Sequence, residues 1–136
     1  MDFRQGFLST VKERVVRVRL AGETGTMTVK GITRGFSKTE FEYEIPKEHA
    51  LVMLDDLCEK PLIEKVRYKV QQGDLTWEID EFAGANTGLI LAEVELEDEG
   101  QALDQPAWVG EEISDDTRYF NSNLVRHPFS EWPENQ

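Results

Sequence analysis

The stretch Leu91-Ala92-Glu93-Val94-Glu95-Leu96-Glu97 constrains this chain most, because charged and apolar residues alternate strictly along it. A period of two is typical of a β-strand, whose successive side chains point to opposite faces of a sheet. Four other stretches also place like charges two residues apart: Arg17/Arg19, Glu40/Glu42/Glu44, Lys65/Arg67 and Glu78/Asp80. The sequence therefore predicts several strands that share one strongly charged face.

Such a charged face needs compensation, because like charges side by side on a strand repel each other. Neighbouring strands of opposite charge or a charged ligand can supply it. The five stretches carry both signs, and strands of this kind can close into a barrel with a charged lumen. A solvated outer sheet face is the plainer interpretation, and the alternation alone leaves both open.

Length and net charge limit the class of protein. The 136 residues suffice for one domain with its own core, and we expect a single domain over 1–136. The net charge of −12 argues against a nucleic-acid partner. Residues 93–136 hold 12 acidic and two basic residues, whereas residues 1–92 hold 15 acidic and 13 basic ones. A local cationic site is therefore compatible with an acidic protein.

Membrane and secretory features are not apparent in the sequence. No apolar run approaches the roughly 20 residues that span a bilayer, and Met1-Asp2-Phe3-Arg4 does not begin a signal peptide. The single Cys58 fits a reducing compartment. We expect a cytoplasmic protein without a membrane partner.

The order of predicted elements indicates an α+β fold that is mainly antiparallel β. Pro46 suits the first position of a helix, which apolar residues at helical spacing continue to Leu57. The predicted strands cover Gln5 to Leu20 with a short interruption at Ser9-Thr10, Met27–Ile32, Glu40–Ile45, a segment from Leu62, Leu75–Phe82 and Leu91–Glu97.

The charged face offers one kind of chemistry in particular. Clustered carboxylates can hold Mg²⁺ or Mn²⁺ through one or two direct bonds and leave room for water and phosphate ligands. Clustered Arg and Lys can hold phosphate oxygens, Arg through two parallel hydrogen bonds. Acidic and basic strands together would therefore suit a metal-chelated polyphosphate.

An ordered set of short stretches resembles the CYTH superfamily, the triphosphate tunnel metalloenzymes. The matching stretches are Arg4-Gln5-Gly6-Phe7-Leu8, Val16-Arg17-Val18-Arg19, Val29-Lys30-Gly31, Glu40-Phe41-Glu42-Tyr43-Glu44-Ile45, Glu64-Lys65-Val66-Arg67-Tyr68, Trp77-Glu78-Ile79-Asp80, Ala92-Glu93-Val94-Glu95-Leu96 and Arg118-Tyr119-Phe120-Asn121. The resemblance implies an eight-stranded antiparallel tunnel barrel with flanking helices.

The resemblance also implies the site residues and the activity. Phosphate contacts would come from Arg17, Arg19, Lys30, Lys65, Arg67 and Arg118, with Lys65 and Arg67 also catalytic. Metal ligands would be Glu93 and Glu95, supported by Glu40, Glu42 and Asp80, and Glu78 is a further candidate. The implied function is Mg²⁺- or Mn²⁺-dependent hydrolysis of a triphosphate, with inorganic tripolyphosphate preferred. Class IV adenylate cyclase activity, thiamine triphosphatase activity and a catalytically impaired polyphosphate- or nucleotide-binding module stay as alternatives.

The sequence departs from the family pattern in two features: one absent strand and one substituted residue. The sequence begins with Met1-Asp2-Phe3-Arg4 where the family's second strand begins, without the Glu-x-Glu-x-Lys strand that precedes it. We therefore expect a barrel incomplete at the N-terminus, which forms a homodimer or draws the acidic C-terminal residues across its open edge. Lys38 stands where the family has Arg in Gly-Phe-Ser-Arg.

Overall fold

The computed structural model describes residues 1–32, 39–96, 106–114 and 116–135. Lys38 and Glu97 lie outside the described residues. The strands are β1 (Asp2–Ser9), β2 (Val15–Ala21), β3 (Thr24–Lys30), β4 (Glu40–Ile45), β5 (Ile63–Gln72), β6 (Leu75–Phe82) and β7 (Ile90–Val94). The helices are α1 (Lys47–Val52), its π-helical continuation Met53–Leu57, α2 (Asn121–Arg126), and 3-10 turns at Gly84–Asn86, Thr117–Tyr119, Phe129–Glu131 and Pro133–Asn135.

The strands form an antiparallel sheet in the order β4-β3-β2-β1-β5-β6-β7. This confirms the predicted α+β class with mainly antiparallel β structure. Within the described residues the sheet has seven strands, and β4 and β7 form its edges. The first strand, β1, lies at the centre and pairs with β2 on one side and β5 on the other.

Several strand boundaries differ from the sequence prediction: β1 begins at Asp2 rather than Gln5, and β3 covers Thr24–Lys30 rather than Met27–Ile32. The segment from Gln5 to Leu20 is a hairpin of two antiparallel strands. The exposed residues 11–14 connect them, and Arg14 N donates to Val11 O at 2.9 Å in this turn. Strand β7 ends at Val94, so Glu95 and Leu96 lie beyond the strand that was predicted to contain them.

One face of the sheet packs beneath α1. Val18 and Leu20 of β2 form an apolar cluster there with Ala50, Leu54 and Cys58 of the helical segment. A side chain at Gly25 would bring its Cβ within 3.0 Å of the Ala50 Cβ, so this glycine permits the close approach of helix and sheet. Burial of these apolar residues fixes which side chains of the alternating strands face away from α1.

The opposite face, called the charged face below, carries Arg17, Arg19, Lys65, Arg67 and Asp80. One end of it is apolar and is covered by the C-terminal residues. Phe7 of β1, Ile63 of β5 and Phe82 of β6 pack there against Leu124 and Val125 of α2, and Trp132 joins the same cluster. Strand alternation places Phe7 on the same face as Gln5, and Ile63 on the same face as Lys65. Helix α2 therefore sits directly beside the charged residues. None of the described helices is long and apolar enough to cross a membrane.

Candidate functional site

The strand register brings the basic residues of distant stretches to one place. Arg19 of β2 lies opposite Gln5 of β1, and Phe3 of β1 lies opposite Lys65 of β5. Arg67 of β5 lies opposite Asp80 of β6. Cations that are far apart in the sequence thus flank the central strand on both sides.

Asp80 is the centre of a buried ion network. Its Oδ2 lies 2.9 Å from Lys65 Nζ and 2.9 Å from Arg67 Nη2, and its Oδ1 lies 2.7 Å from Arg67 Nε. Arg67 also donates through Nη1 to Glu78 Oε2 at 3.0 Å. The two parallel bonds between Arg67 and Asp80 are the bidentate geometry that fixes a guanidinium most firmly.

The protonation of this network follows from burial and pairing. Burial lowers the pKa of Lys65 to about 8, although the charge of Asp80 opposes that change. For Asp80, burial disfavours the charged form, but the hydrogen bond from Arg67 and the charge of Lys65 outweigh it and hold the pKa below its ordinary value. The hydrogen bond to Asp80 raises the pKa of Arg67. Near neutral pH the network holds two cations and one buried carboxylate.

Arg17 and Arg19 are held differently. Within the described residues neither forms a salt bridge; Arg17 Nη2 donates to Thr28 Oγ1 at 3.3 Å, and Arg19 Nε donates to Gln5 Oε1 at 2.9 Å. The Nε of Arg17 is buried without a hydrogen-bond partner there. Since a buried donor without an acceptor is costly, this arrangement favours an anionic ligand.

Burial is also the main influence on the titration of these two arginines. It lowers the pKa of Arg17, and the charge of Glu42 partly offsets the effect. It lowers the pKa of Arg19 to about 10, to which the charges of Arg17 and Arg67 contribute. The lowered values record mainly the loss of water around the two cations and, for Arg19, also repulsion by its neighbours; bound phosphate oxygens would oppose both effects.

A chain of hydrogen bonds connects the arginines to α2. Gln5 is 1% exposed and donates through Nε2 to Asn121 Oδ1 at 2.7 Å, while its own Oε1 accepts from Arg19. The same Asn121 oxygen accepts from Lys65 Nζ at 3.1 Å. Gln5, Asn121 and Thr28 were not predicted as site residues, because uncharged side chains carry no charge pattern in the sequence. The signal that could have found Gln5 and Thr28 is their alternation in register with Phe7 and Lys30 on their strands.

The predicted metal ligands Glu93 and Glu95 lie near the edge strand β7, and both are exposed. Glu93 is opposite Glu78 in the β6–β7 ladder, and its charge raises the pKa of Arg67. Glu95 and Glu78 line a polar cavity of about 670 Å³ together with Lys69, Asp74 and Thr76. Glu93 and Glu95 are thus brought to the same region as Glu78.

The remaining predicted acids lie elsewhere on the sheet. Glu40 and Glu42 project from the other edge strand, β4, and Glu42 Oε2 accepts from Thr28 Oγ1 at 3.3 Å. Burial lowers the pKa of Arg17, and the negative charges of both glutamates oppose this effect. Lys30, a predicted phosphate ligand, is on β3 opposite Glu40. The structure thus connects the β4 acids with the arginines and the β7 acids with Arg67.

Arg118, the last predicted phosphate ligand, is in the C-terminal segment. Its Nη2 lies 2.9 Å from Asp116 Oδ2, its Nη1 lies 3.6 Å from Glu134 Oε1, and its guanidinium stacks at 4.7 Å over the Trp132 ring. It lines a smaller cavity of about 270 Å³ with Arg126. These contacts are separate from the network around Asp80.

The described residues contain no group of three or more His, Cys, Asp or Glu side chains poised to hold a metal ion. Both carboxylate oxygens of Asp80 form ion pairs with Lys65 and Arg67. The glutamates of β4 and β7 lie at opposite edges of the sheet. A pair of carboxylates such as Glu93 and Glu78 nevertheless fits Mg²⁺, which typically uses one or two carboxylates and completes its coordination with water and phosphate oxygens.

The fold and site define an antiparallel β protein with a partly buried cationic face and acidic edge strands. The CYTH domain model matches residues 1–127, and the chain therefore belongs to the CYTH domain family. This confirms the family and the tunnel-type fold predicted from the sequence.

Similar proteins and a similar solved structure are inorganic triphosphatases. The chain is 49% identical over 132 residues to an inorganic triphosphatase of Acetivibrio thermocellus, covering 97% of this chain and 85% of that protein. It is 40% identical over 130 residues to an inorganic triphosphatase of Nitrosomonas europaea, covering 92% and 84%. A crystal structure of an inorganic triphosphatase matches with a TM-score of 0.71 at 33% identity, covering 91% of this chain and 84% of the other.

Proposed function

We propose that this protein hydrolyses a triphosphate, with inorganic tripolyphosphate as the substrate, on the charged face of its sheet. The observation that carries the proposal is the pair Arg17 and Arg19, which are half-buried and form no salt bridge within the described residues. Cations that are half-buried and hydrogen-bonded only to uncharged side chains keep their charge available, and a bound anion would offset the cost of their burial. The names of the relatives add independent support.

The basic residues divide into two roles. Arg17 and Arg19 bind phosphate oxygens, because their charge is not cancelled by a carboxylate in the described structure. Lys65 and Arg67 are the catalytic cations: Asp80 holds them rigidly where negative charge develops as the bridging P–O bond breaks. Fixed positive charge requires little reorganisation during the reaction, and this is the main contribution that phosphoryl transfer needs from a protein.

The other two predicted phosphate ligands have supporting parts. Lys30 would contact the end of the phosphate chain nearest β4, since it lies across from Glu40. Arg118 would engage a phosphate only by exchanging its bonds to Asp116 and Glu134. We therefore expect Arg118 to contribute less to binding than Arg17 or Arg19.

A divalent metal, Mg²⁺ or Mn²⁺, belongs to this proposal. Glu93 would hold it with Glu95 or Glu78, while Glu40, Glu42 and Asp80 would shape the surrounding charge. When bound, the ion would neutralise phosphate charge and orient the substrate. The carboxylates of the chain would then balance a metal-bound polyphosphate rather than repel a bare one.

We further propose that the protein works in the cytoplasm as one domain over 1–136. The thiol of Cys58, whose pKa burial raises, is compatible with a reducing compartment. Self-association into a homodimer is part of the same proposal, because Phe41 and Tyr43 of the edge strand β4 are 53% and 60% exposed. Sedimentation at several protein concentrations tests it: a monomer at all of them would contradict the dimer.

The decisive experiment measures phosphate release from tripolyphosphate with Mg²⁺ or Mn²⁺, alongside ATP and thiamine triphosphate. We expect turnover of tripolyphosphate to exceed that of both organic triphosphates. Tight binding without phosphate release would overturn hydrolysis in favour of a binding module. Faster conversion of ATP to a cyclic nucleotide, or faster cleavage of thiamine triphosphate, would overturn the substrate.

A further inference from the structure

The ring of Phe3 lies among three cations of the charged face. Phe3 is 8% exposed and projects from β1 on the same face as Gln5 and Phe7. The guanidinium carbon of Arg19 lies 4.7 Å from its ring centroid, that of Arg67 also 4.7 Å, and Lys65 Nζ 6.0 Å. All three distances fall within the roughly 6 Å over which an aromatic ring attracts a cation.

The strand register explains why one ring meets all three. Phe3 pairs directly with Lys65 on β5 and with the small residue Ala21 on β2. Arg19 and Arg67 reach the ring from diagonal positions on these two neighbouring strands. Because Ala21 has only a methyl group, the side of the ring toward β2 is left open to the longer side chain of Arg19.

The three cations do not depend on the ring equally. Lys65 and Arg67 are both paired with Asp80, and Lys65 also lies 5.4 Å from the ring centroid of Phe82. Arg19 has no carboxylate partner within the described residues, and its contacts there are the Phe3 ring and Gln5 Oε1. Arg19 is therefore the cation whose position depends most on Phe3.

This way of holding a cation has a chemical consequence. A carboxylate would fix Arg19 but would also cancel its charge and compete with phosphate. An aromatic face and an amide oxygen attract the guanidinium through partial charges only, so nearly all of its positive charge stays available to an anion. The same ring also contacts Arg67, whose charge lowers the pKa of Arg19 after the larger effect of burial, so one aromatic ring attracts two cations that repel each other.

We propose that Phe3 is a positioning residue, whose ring holds the Arg19 guanidinium in place for a phosphate while leaving its charge uncompensated. Phe3 touches no reacting atom in this account; it acts through Arg19. The inference rests on the proposed function for its relevance to tripolyphosphate, whereas the contact of ring and cation is independent of any substrate.

The test replaces Phe3 with phenylalanines carrying one, two and three fluorine atoms, which preserve the shape of the ring but progressively weaken its negative face. The same series at Phe7 is the matched control, because Phe7 is a buried ring on the same strand and face that packs in the apolar cluster. Two quantities are measured: tripolyphosphate affinity by calorimetry with Mg²⁺, and the pKa of Arg19 from the ¹³C shift of its Cζ.

We expect affinity to fall with each fluorine at position 3, by roughly tenfold for the third, and to stay within about twofold at position 7. The pKa of Arg19, which is about 10, should fall in parallel at position 3 only. Arg17, Arg67, Asp80 and Glu42 also act on that pKa, and none of them changes in the series.

Two outcomes would overturn the inference: an Arg19 pKa that does not respond to fluorination at position 3, or equal effects at positions 3 and 7. Failure of the wild-type protein to bind tripolyphosphate would instead refute the proposed function. The Arg19 titration would then still decide whether the ring stabilises this cation.

Discussion

Lys65 and Asp80 form a 2.9 Å ion pair in which the two side chains are only 2% and 4% exposed. They come from adjacent strands and meet diagonally, since Asp80 lies directly opposite Arg67. A carboxylate so placed serves two cations at once, and this shared dependence leads to the first prediction.

Replacing Asp80 by Asn should be strongly destabilising, because it leaves Lys65 and Arg67 buried without their common counter-ion. Loss of one partner of a buried pair costs about 3–5 kcal/mol of unfolding free energy. Urea denaturation measures this loss. Glu78→Gln is the matched control: Glu78 also pairs with Arg67 but is 38% exposed, so a loss of at most about 1 kcal/mol is expected. Equal losses in the two variants would show that Asp80 has no special role.

Replacing Arg17 by Met should separate binding from stability. The variant removes a half-buried cation that has no salt bridge within the described residues and whose buried Nε has no hydrogen-bond partner there, so the unfolding temperature should stay the same or rise. Affinity for tripolyphosphate should fall roughly 10- to 100-fold, the usual loss for a hydrogen bond to a charged group. Arg14→Gln, at an exposed turn position, is the control and should retain affinity. A destabilised Arg17→Met protein with unchanged affinity would make Arg17 a structural residue.

Turnover should depend on the protonation of Lys65. Because the pKa of Lys65 is about 8 and its role requires the charged form, activity should be full below that pH and fall as pH rises through it. Lys65→Arg keeps a charge that does not titrate in this range, so its rate should not show this fall. A pH–rate profile for the two proteins provides the measurement, and an identical alkaline decline in both would exclude Lys65 as its cause.

The stability of the folded chain should change in the opposite direction over the same pH range. The pKa of Lys65 is about 8 in the folded state and 10.5 ordinarily, so the unfolded chain binds more protons between these values. The contribution of Lys65 to the unfolding free energy therefore rises with pH across this window. Subtracting the pH dependence of Lys65→Met from that of the wild type isolates it. A difference that falls with pH would mean that the pKa is raised by pairing rather than lowered by burial.

Replacing Glu93 by Gln should weaken the metal-dependent part of tripolyphosphate binding while the fold stays intact, since the change removes charge and little volume. Calorimetry with and without Mg²⁺ measures this part directly. Glu81→Gln is a suitable control, because Glu81 is exposed and alternates with Asp80 onto the other face of the sheet. Equal Mg²⁺ dependence in the Glu93 variant and the wild type would remove Glu93 from the metal site.

The sequence by itself determined the approximate positions of the strands and which of their residues share a face, although not every boundary. Alternation in Arg17/Arg19, Lys65/Arg67 and Glu78/Asp80 is a local property, and the pleat of a strand translates it directly into a charged and an apolar face. The helix after Pro46 likewise follows from local spacing and chemistry. The family resemblance rested on the same ordered stretches.

Tertiary structure alone decided how the charges are partnered. Strand order and register assign Asp80 to Lys65 and Arg67, and leave Arg17 and Arg19 with Thr28 and Gln5. They also bury Phe3 among three cations and Asn121 beside Gln5. No local pattern encodes these contacts, because each joins residues whose proximity depends on pairing between strands and on the packing of α2. The sequence thus determines which residues of this face are charged. The fold determines which of those charges are paired and which are left available to a ligand.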